Sequence, residues 1–151
     1  MAHTNRGRVV LGGLLAGVVI NIVEYVVNGV ILKADWANAM QAMGKSPVIS
    51  GKAIMIFNIW GFLAGIAAVW IYAAIRSRYG AGPGTAMRAG LAAWFLASFL
   101  VGLANYPLGL FSVRLIVLPS LAELIAFEIA TIFGAWIYKE GETTAVRSAA
   151  A

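Results

Sequence analysis

Three carboxylic acids stand where carboxylic acids are rare. Of the six acidic residues in the chain, Glu24, Glu123 and Glu128 lie inside long apolar runs. A charge in the middle of hydrocarbon costs about 2.5–3.5 kcal/mol on insertion scales, so such residues face a helical interior and are candidates for function. Side-chain amides accompany them at Asn21, Asn28, Asn58 and Asn105. Carboxyl groups among amides can do two things. They can hold a proton, a cation or a small polar solute, or they can act as hydrogen-bonding glue between helices, worth about 0.6 kcal/mol per bond.

Other chemistries are excluded by what is missing. The one histidine is His3, in the N-terminal tail, and cysteine is absent. No His-ligated haem or metal is therefore expected within the apolar runs, and thiolate sites and disulfides are impossible. No HExxH, P-loop or nucleophile-elbow motif occurs, so the chain does not read as an enzyme. The identity of any cofactor stays open.

The elements that must position these residues follow from composition. The 151 residues are 62% hydrophobic and 11% charged, with a mean hydropathy of +0.87. Soluble domains carry about 25% charged residues, so the chain reads as one integral-membrane domain. Four apolar runs, 9–32, 53–75, 89–110 and 115–138, each exceed the roughly 20 residues needed to cross about 30 Å of hydrocarbon. The expected fold is all-α, a four-helix transmembrane bundle with a polar tail at 139–151. The first run is too long for a signal-peptide core and contains Glu24, so it reads as a spanning helix. The net charge of +5 is spread over the ends of the runs. It marks water boundaries and not a nucleic-acid surface.

Helical periodicity assigns faces. Gly13, Gly17, Asn21, Glu24 and Asn28 are spaced 4, 4, 3 and 4 and form one stripe. Its first half is a GxxxG contact, repeated in the second run by Gly61 and Gly65. These pairs are read as packing notches in preference to dimerisation motifs. Ser98, Gly102 and Asn105 share a face of the third run; Ser120, Glu123, Ala130 and Gly134 share one in the fourth, with a kink expected at Pro119. At 1.5 Å per residue, Glu24 lies about 6 Å and Glu123 about 4–5 Å to the same side of the midplane. Asn28, Asn58 and Asn105 lie further out on that side. Glu128 lies deeper, roughly 140° around its helix from Glu123. A polar cluster in one half and small-residue packing in the other is the expectation.

The connections carry further expectations. Between Lys33 and Lys52, Asp35 is a plausible N-cap for a short helix ended by Gly44, with Trp36, Met40 and Met43 on one apolar face lying along the membrane interface. Residues 79–85 and 106–112 read as turns. Placing Arg6, Arg8, Arg76, Arg78, Arg88, Lys139 and Arg147 inside, against Lys33, Lys45, Lys52 and Arg114 outside, sets both termini in the cytoplasm. Tyr72, Tyr79, Trp136 and Tyr138 then form the inner aromatic belt. The Trp70-Ile71-Tyr72 and Trp136-Ile137-Tyr138 triplets hint at duplicated helical hairpins.

The GGLLAG start, the Asn21/Glu24/Asn28 stripe, the segment Trp36 to Gly44 and the closing Gly134 to Tyr138 resemble small four-helix bacterial integral membrane proteins of an uncharacterised family. That resemblance implies a helical fold in the bacterial inner membrane and transfers no functional residue. Two functions are expected from the residues, the first preferred and the second its alternative. One is a non-catalytic accessory or structural subunit, packing in a homo-oligomer or with other membrane subunits. The other is a small transporter or ligand- or cation-binding protein using the Glu/Asn cluster.

Overall fold

The computed structural model describes residues 4–138. His3, Lys139, Arg147 and the tail 139–151 lie outside the described residues. Four long helices dominate: α1, Arg6–Ile31; α3, Gly51–Tyr79; α4, Pro83–Leu108; and α5, Val113–Ile137. The short helix α2, Lys33–Ala42, joins α1 to α3. No strand occurs among the described residues. Each long helix has at least 25 residues and is apolar enough to cross a membrane. Only 22–33% of the most apolar stretch of each is buried. The remaining apolar surface faces outward, as hydrocarbon solvent allows and water does not.

Local chemistry sets the helix ends, and most lie beyond the expected limits. Asn5, Ser50 and Ser112 each accept a backbone N–H in the first turn of α1, α3 and α5. The expected turn at 79–85 shrinks because α3 runs on to Tyr79 and α4 starts at Pro83, whose missing N–H costs nothing at a first helical position. Gly80 and Gly82, at φ 82° and 139°, make the reversal between them. Asp35 is not an N-cap. Trp36 N–H bonds the Leu32 carbonyl, so the chain turns helical ahead of Asp35, which lies in the first turn of α2. Pro119 lies within α5, which continues through it to Ile137.

The packing is a ring closed by small residues. α1 packs on α3 and α5, α4 packs on α3 and α5, and α3 touches α5 across the diagonal. The two GxxxG notches face each other. A Cβ on Gly65 would fall on the backbone of Gly13 and Gly17, and one on Gly13 would fall on the backbone of Ile66. Between α1 and α5, Gly12 meets the Gly134 carbonyl beside Val69; between α4 and α5, a Cβ on Gly90 would fall 2.8 Å from the Phe127 carbonyl oxygen. Ala16, Ile20, Ala68, Val69, Phe127 and Ala130 are buried in this core. Helix backbones approach this closely only where side chains end at a hydrogen or a methyl.

The aromatic belt needs one correction. Tyr72 and Tyr138 are buried and meet edge to face, 6.0 Å between centroids, with Arg76 5.5 Å over the Tyr138 ring. Trp70, Tyr79 and Trp136 are exposed. The repeated Trp-Ile-Tyr triplet therefore repeats a geometry, Trp outward and Tyr inward. A Tyr buried at the end of an apolar helix gains packing that a belt position does not provide.

Candidate functional site

The polar groups gather at the end of the molecule that carries α2. Two departures from α-helical geometry mark that half. α1 widens to a π-helix over Tyr25–Ile31, and α4 does so over Phe95–Phe99. Such turns set one more residue into each circuit and recur at functional sites. The first begins directly after Glu24 and contains Asn28.

A chain of polar contacts starts there. The Glu24 and Glu123 carboxyls lie close enough to interact across α1 and α5. Asn28 Nδ2 donates to Glu24 Oε2 at 2.8 Å. Asn28 Oδ1 accepts from the indole Nε1 of Trp36 at 3.0 Å. Four side chains from α1, α2 and α5 thus form one line, from the carboxyl pair to the short helix above it. Around the line, Val27, Leu32 and Leu115 are buried, with Val23, Trp36, Ala39, Phe111 and Ala122 packed against them. Val23 and Ala122 are the chain neighbours of the two glutamates. Trp36 also meets Phe111 edge to face at 5.5 Å. Arg114 Nε lies 3.6 Å from Asp35 Oδ2 at the rim.

The other expected members are elsewhere. Asn21 Nδ2 donates to the backbone oxygen of Asn58 at 3.2 Å, and its amide occupies the notch at Gly61, where any Cβ would collide with it. Asn58 turns its own amide back to the Ile54 carbonyl at 2.8 Å, and Asn105 does the same to Val101 at 2.8 Å. A short amide can add a second bond to the helical carbonyl one turn before it and so find a partner without crossing to another helix. Glu128 belongs to another surface: its Cα lies 3.0 Å from where Gly90 of α4 would carry a Cβ. Of the seven polar residues singled out in the sequence, Glu24, Asn28 and Glu123 come together. Asn21 and Asn58 form a separate α1–α3 link, and Asn105 and Glu128 stand apart.

Sequence reasoning missed the indole of Trp36 as a partner, assigning it only to an apolar face. It also missed the α4–α5 link, in which Ser98 and Ser120 hydroxyls meet at 2.9 Å and Trp94 Nε1 donates to the Ser120 carbonyl at 2.7 Å. The available signal was a tryptophan bearing a donor that must find an acceptor when buried.

Chemically, two carboxyls in contact repel each other when both are charged. Coulomb repulsion and lost hydration act together, and a shared proton or a bound cation relieves both. The oxygens are hard donors, suited to a proton or a small hard cation. No group of three or more His, Cys, Asp or Glu side chains with metal-site geometry occurs among the described residues. Comparison with known proteins finds no matching family, no matching curated protein and no matching solved structure.

Proposed function

We propose that this chain is a small, non-catalytic integral membrane protein of the bacterial inner membrane, whose four long helices span the bilayer with both termini cytoplasmic and whose α2 lies along the outer interface. Its function is to hold an exchangeable cation, a proton first of all, between Glu24 and Glu123. The contact between those two carboxyls carries the reading. A carboxyl pair confined to apolar helices requires a positive occupant, and Asn28 completes its surroundings with a donor held at 2.8 Å.

An accessory subunit that docks through its glycine faces is the second reading. It has less support, because Gly13, Gly17, Gly61 and Gly65 are consumed in the chain's own α1–α3 contact. Thermal unfolding in detergent separates the two. A ligand that binds only the folded state stabilises it by RT ln(1 + [L]/Kd), about 2.7 kcal/mol at a hundredfold excess over Kd. Under the cation reading, the parent protein's Tm depends on pH or on Li⁺, Na⁺ or Mg²⁺ at constant ionic strength. Glu24→Gln and Glu123→Gln each abolish that dependence. A parent protein with none loses the cation reading and leaves the glutamates as hydrogen-bonding glue.

A further inference from the structure

Glu128 has no place in the polar line that ends at Trp36. It makes no hydrogen bond or ion pair among the described residues. Elsewhere in the long helices, the amides of Asn21, Asn28, Asn58 and Asn105 and the hydroxyls of Ser98 and Thr131 are all bonded. α4 approaches Glu128 through Gly90, and Met87 and Leu91, beside that glycine, carry no side-chain donor. α5 is centred on Ile125, so Glu128 stands about 4.5 Å from the midplane of a spanning helix. Hydrocarbon reaches about 15 Å to either side, and a glutamate side chain is too short to cross the remainder. A half-buried carboxyl at that depth needs a partner from outside the chain.

The residues around it form a pattern. Leu118, Leu121, Ile125, Glu128, Ile132 and Ala135 follow one another at spacings of 3, 4, 3, 4 and 3. That is the heptad repeat of a two-helix seam, apolar except at one position, where a single polar residue fixes register and partner number. Leu118, Leu121 and Ile125 are exposed, and the other three are half-buried. The chain's own packing therefore leaves this stripe open along the first half of α5.

Depth selects the occupant. Copies of one membrane protein insert the same way round, so a twofold axis relating two of them runs along the membrane normal. Across that axis α5 meets α5 in parallel. Each seam residue lies opposite its own counterpart, and Glu128 meets Glu128 at the same depth. A neutral carboxyl has one O–H donor and an acceptor oxygen, so two of them satisfy each other. We propose that this face of α5 is the seam of a parallel homodimer, in which the two Glu128 side chains pair as hydrogen-bonded acids on the twofold axis. The proposal rests on the reading that α5 spans the bilayer and is independent of the Glu24/Glu123 pair.

The chain has no cysteine, so single replacements report on the seam. Ile125 and Phe133 are 60% and 45% exposed, but only Ile125 belongs to the stripe. Under mild oxidation in native membranes, Ile125→Cys gives disulfide-linked dimers and Phe133→Cys stays monomeric. The dimer dissociation constant is then read by energy transfer between labelled copies in bicelles. Glu128→Leu raises it roughly five- to thirtyfold, the factor for one to two intramembrane hydrogen bonds. Glu128→Ala gives a rise in the same direction should the leucine variant fail to fold. Glu128→Gln stays close to the parent, because its amide also both donates and accepts.

Absence of dimers in Ile125→Cys, or equal linking in Phe133→Cys, overturns the seam. A folded Glu128→Leu or Glu128→Ala that dimerises as tightly as the parent overturns the acid pair. Capture of Ile125→Cys by a different protein, with no dimer, overturns the second copy as the occupant. Alkaline carbonate separates these failures from that of the spanning reading. A parent protein that stays in carbonate-washed membranes keeps the spanning reading when the seam fails, whereas one that is washed out overturns both.

Discussion

The two halves of this molecule are joined by opposite means. At the end away from α2, helices touch backbone to backbone through Gly12, Gly13, Gly65, Gly90 and Gly134, and the contacts are those of close packing. At the α2 end the helices are joined by polar side chains. Asn21 reaches α3, Glu24 reaches Glu123, and Ser98 reaches Ser120. In hydrocarbon no hydrophobic effect drives helices together, so close packing and hydrogen bonding are the remaining forces, and each half relies mainly on one. The packed half tolerates little change of volume, and its contacts have one arrangement. The polar half can exchange partners, because an amide or a carboxyl has more than one way to be satisfied. That difference places the capacity for change at the α2 end.

The largest effect is expected where the packed half is overfilled. Gly65→Val places carbon on the backbone of Gly13 and Gly17, beyond the reach of any rotamer change. Overpacking a tight site costs typically 1–3 kcal/mol and more where backbone must move, so this variant should lose most of its folded, monodisperse fraction on size exclusion. Its counterpart is Gly84→Ala in the first turn of α4, where nothing lies within 4 Å. That change should leave Tm unchanged or raise it, since alanine is the better helix former by up to about 1 kcal/mol. A well-folded Gly65→Val would break the contrast between the halves.

A smaller effect, sharper in geometry, tests the polar half. Glu24→Cys/Glu123→Cys should cross-link within one chain using a short bifunctional thiol reagent. Glu24→Cys/Glu128→Cys should link poorly, because Glu128 lies on the α4 side of α5. Equal yields, or dimers alone, would place the glutamates on separate surfaces and remove the pair. The smallest effect is expected at the rim. Arg114→Ala removes an ion pair whose arginine is 61% exposed, so Tm should shift by the equivalent of less than about 0.5 kcal/mol. A large loss there would mean that α2 is held by charge and not by the Trp36–Asn28 bond.

Much of this arrangement was legible without coordinates, and the reason is the solvent. In hydrocarbon every backbone group must be satisfied within its own helix. Apolar length therefore counted the four helices long and apolar enough to cross a membrane, and periodicity found the Gly13/Gly17/Glu24/Asn28 stripe. Depth along two antiparallel helices was enough to bring Glu24 opposite Glu123, and the GxxxG spacing was enough to predict a packing notch. Asn58 and Asn105 were misplaced for a physical reason: an amide at helical depth can bond the carbonyl one turn below it, and residue type does not reveal which partner it takes. Tyr72 and Tyr138 were assigned to the belt because a helix-end tyrosine suits both water and core. Only the neighbouring helix decides which side it takes.

The sequence alone thus determined the helical class, the number of long apolar helices and their glycine faces, because these depend on interactions along one helix or with a uniform solvent. The tertiary structure decided which notch meets which, that Asn21 turns to α3, and that the indole of Trp36 ends the line from Glu123. Those outcomes depend on how far each helix is rotated against its neighbours and on the π-turn after Glu24, and no single helix contains that information.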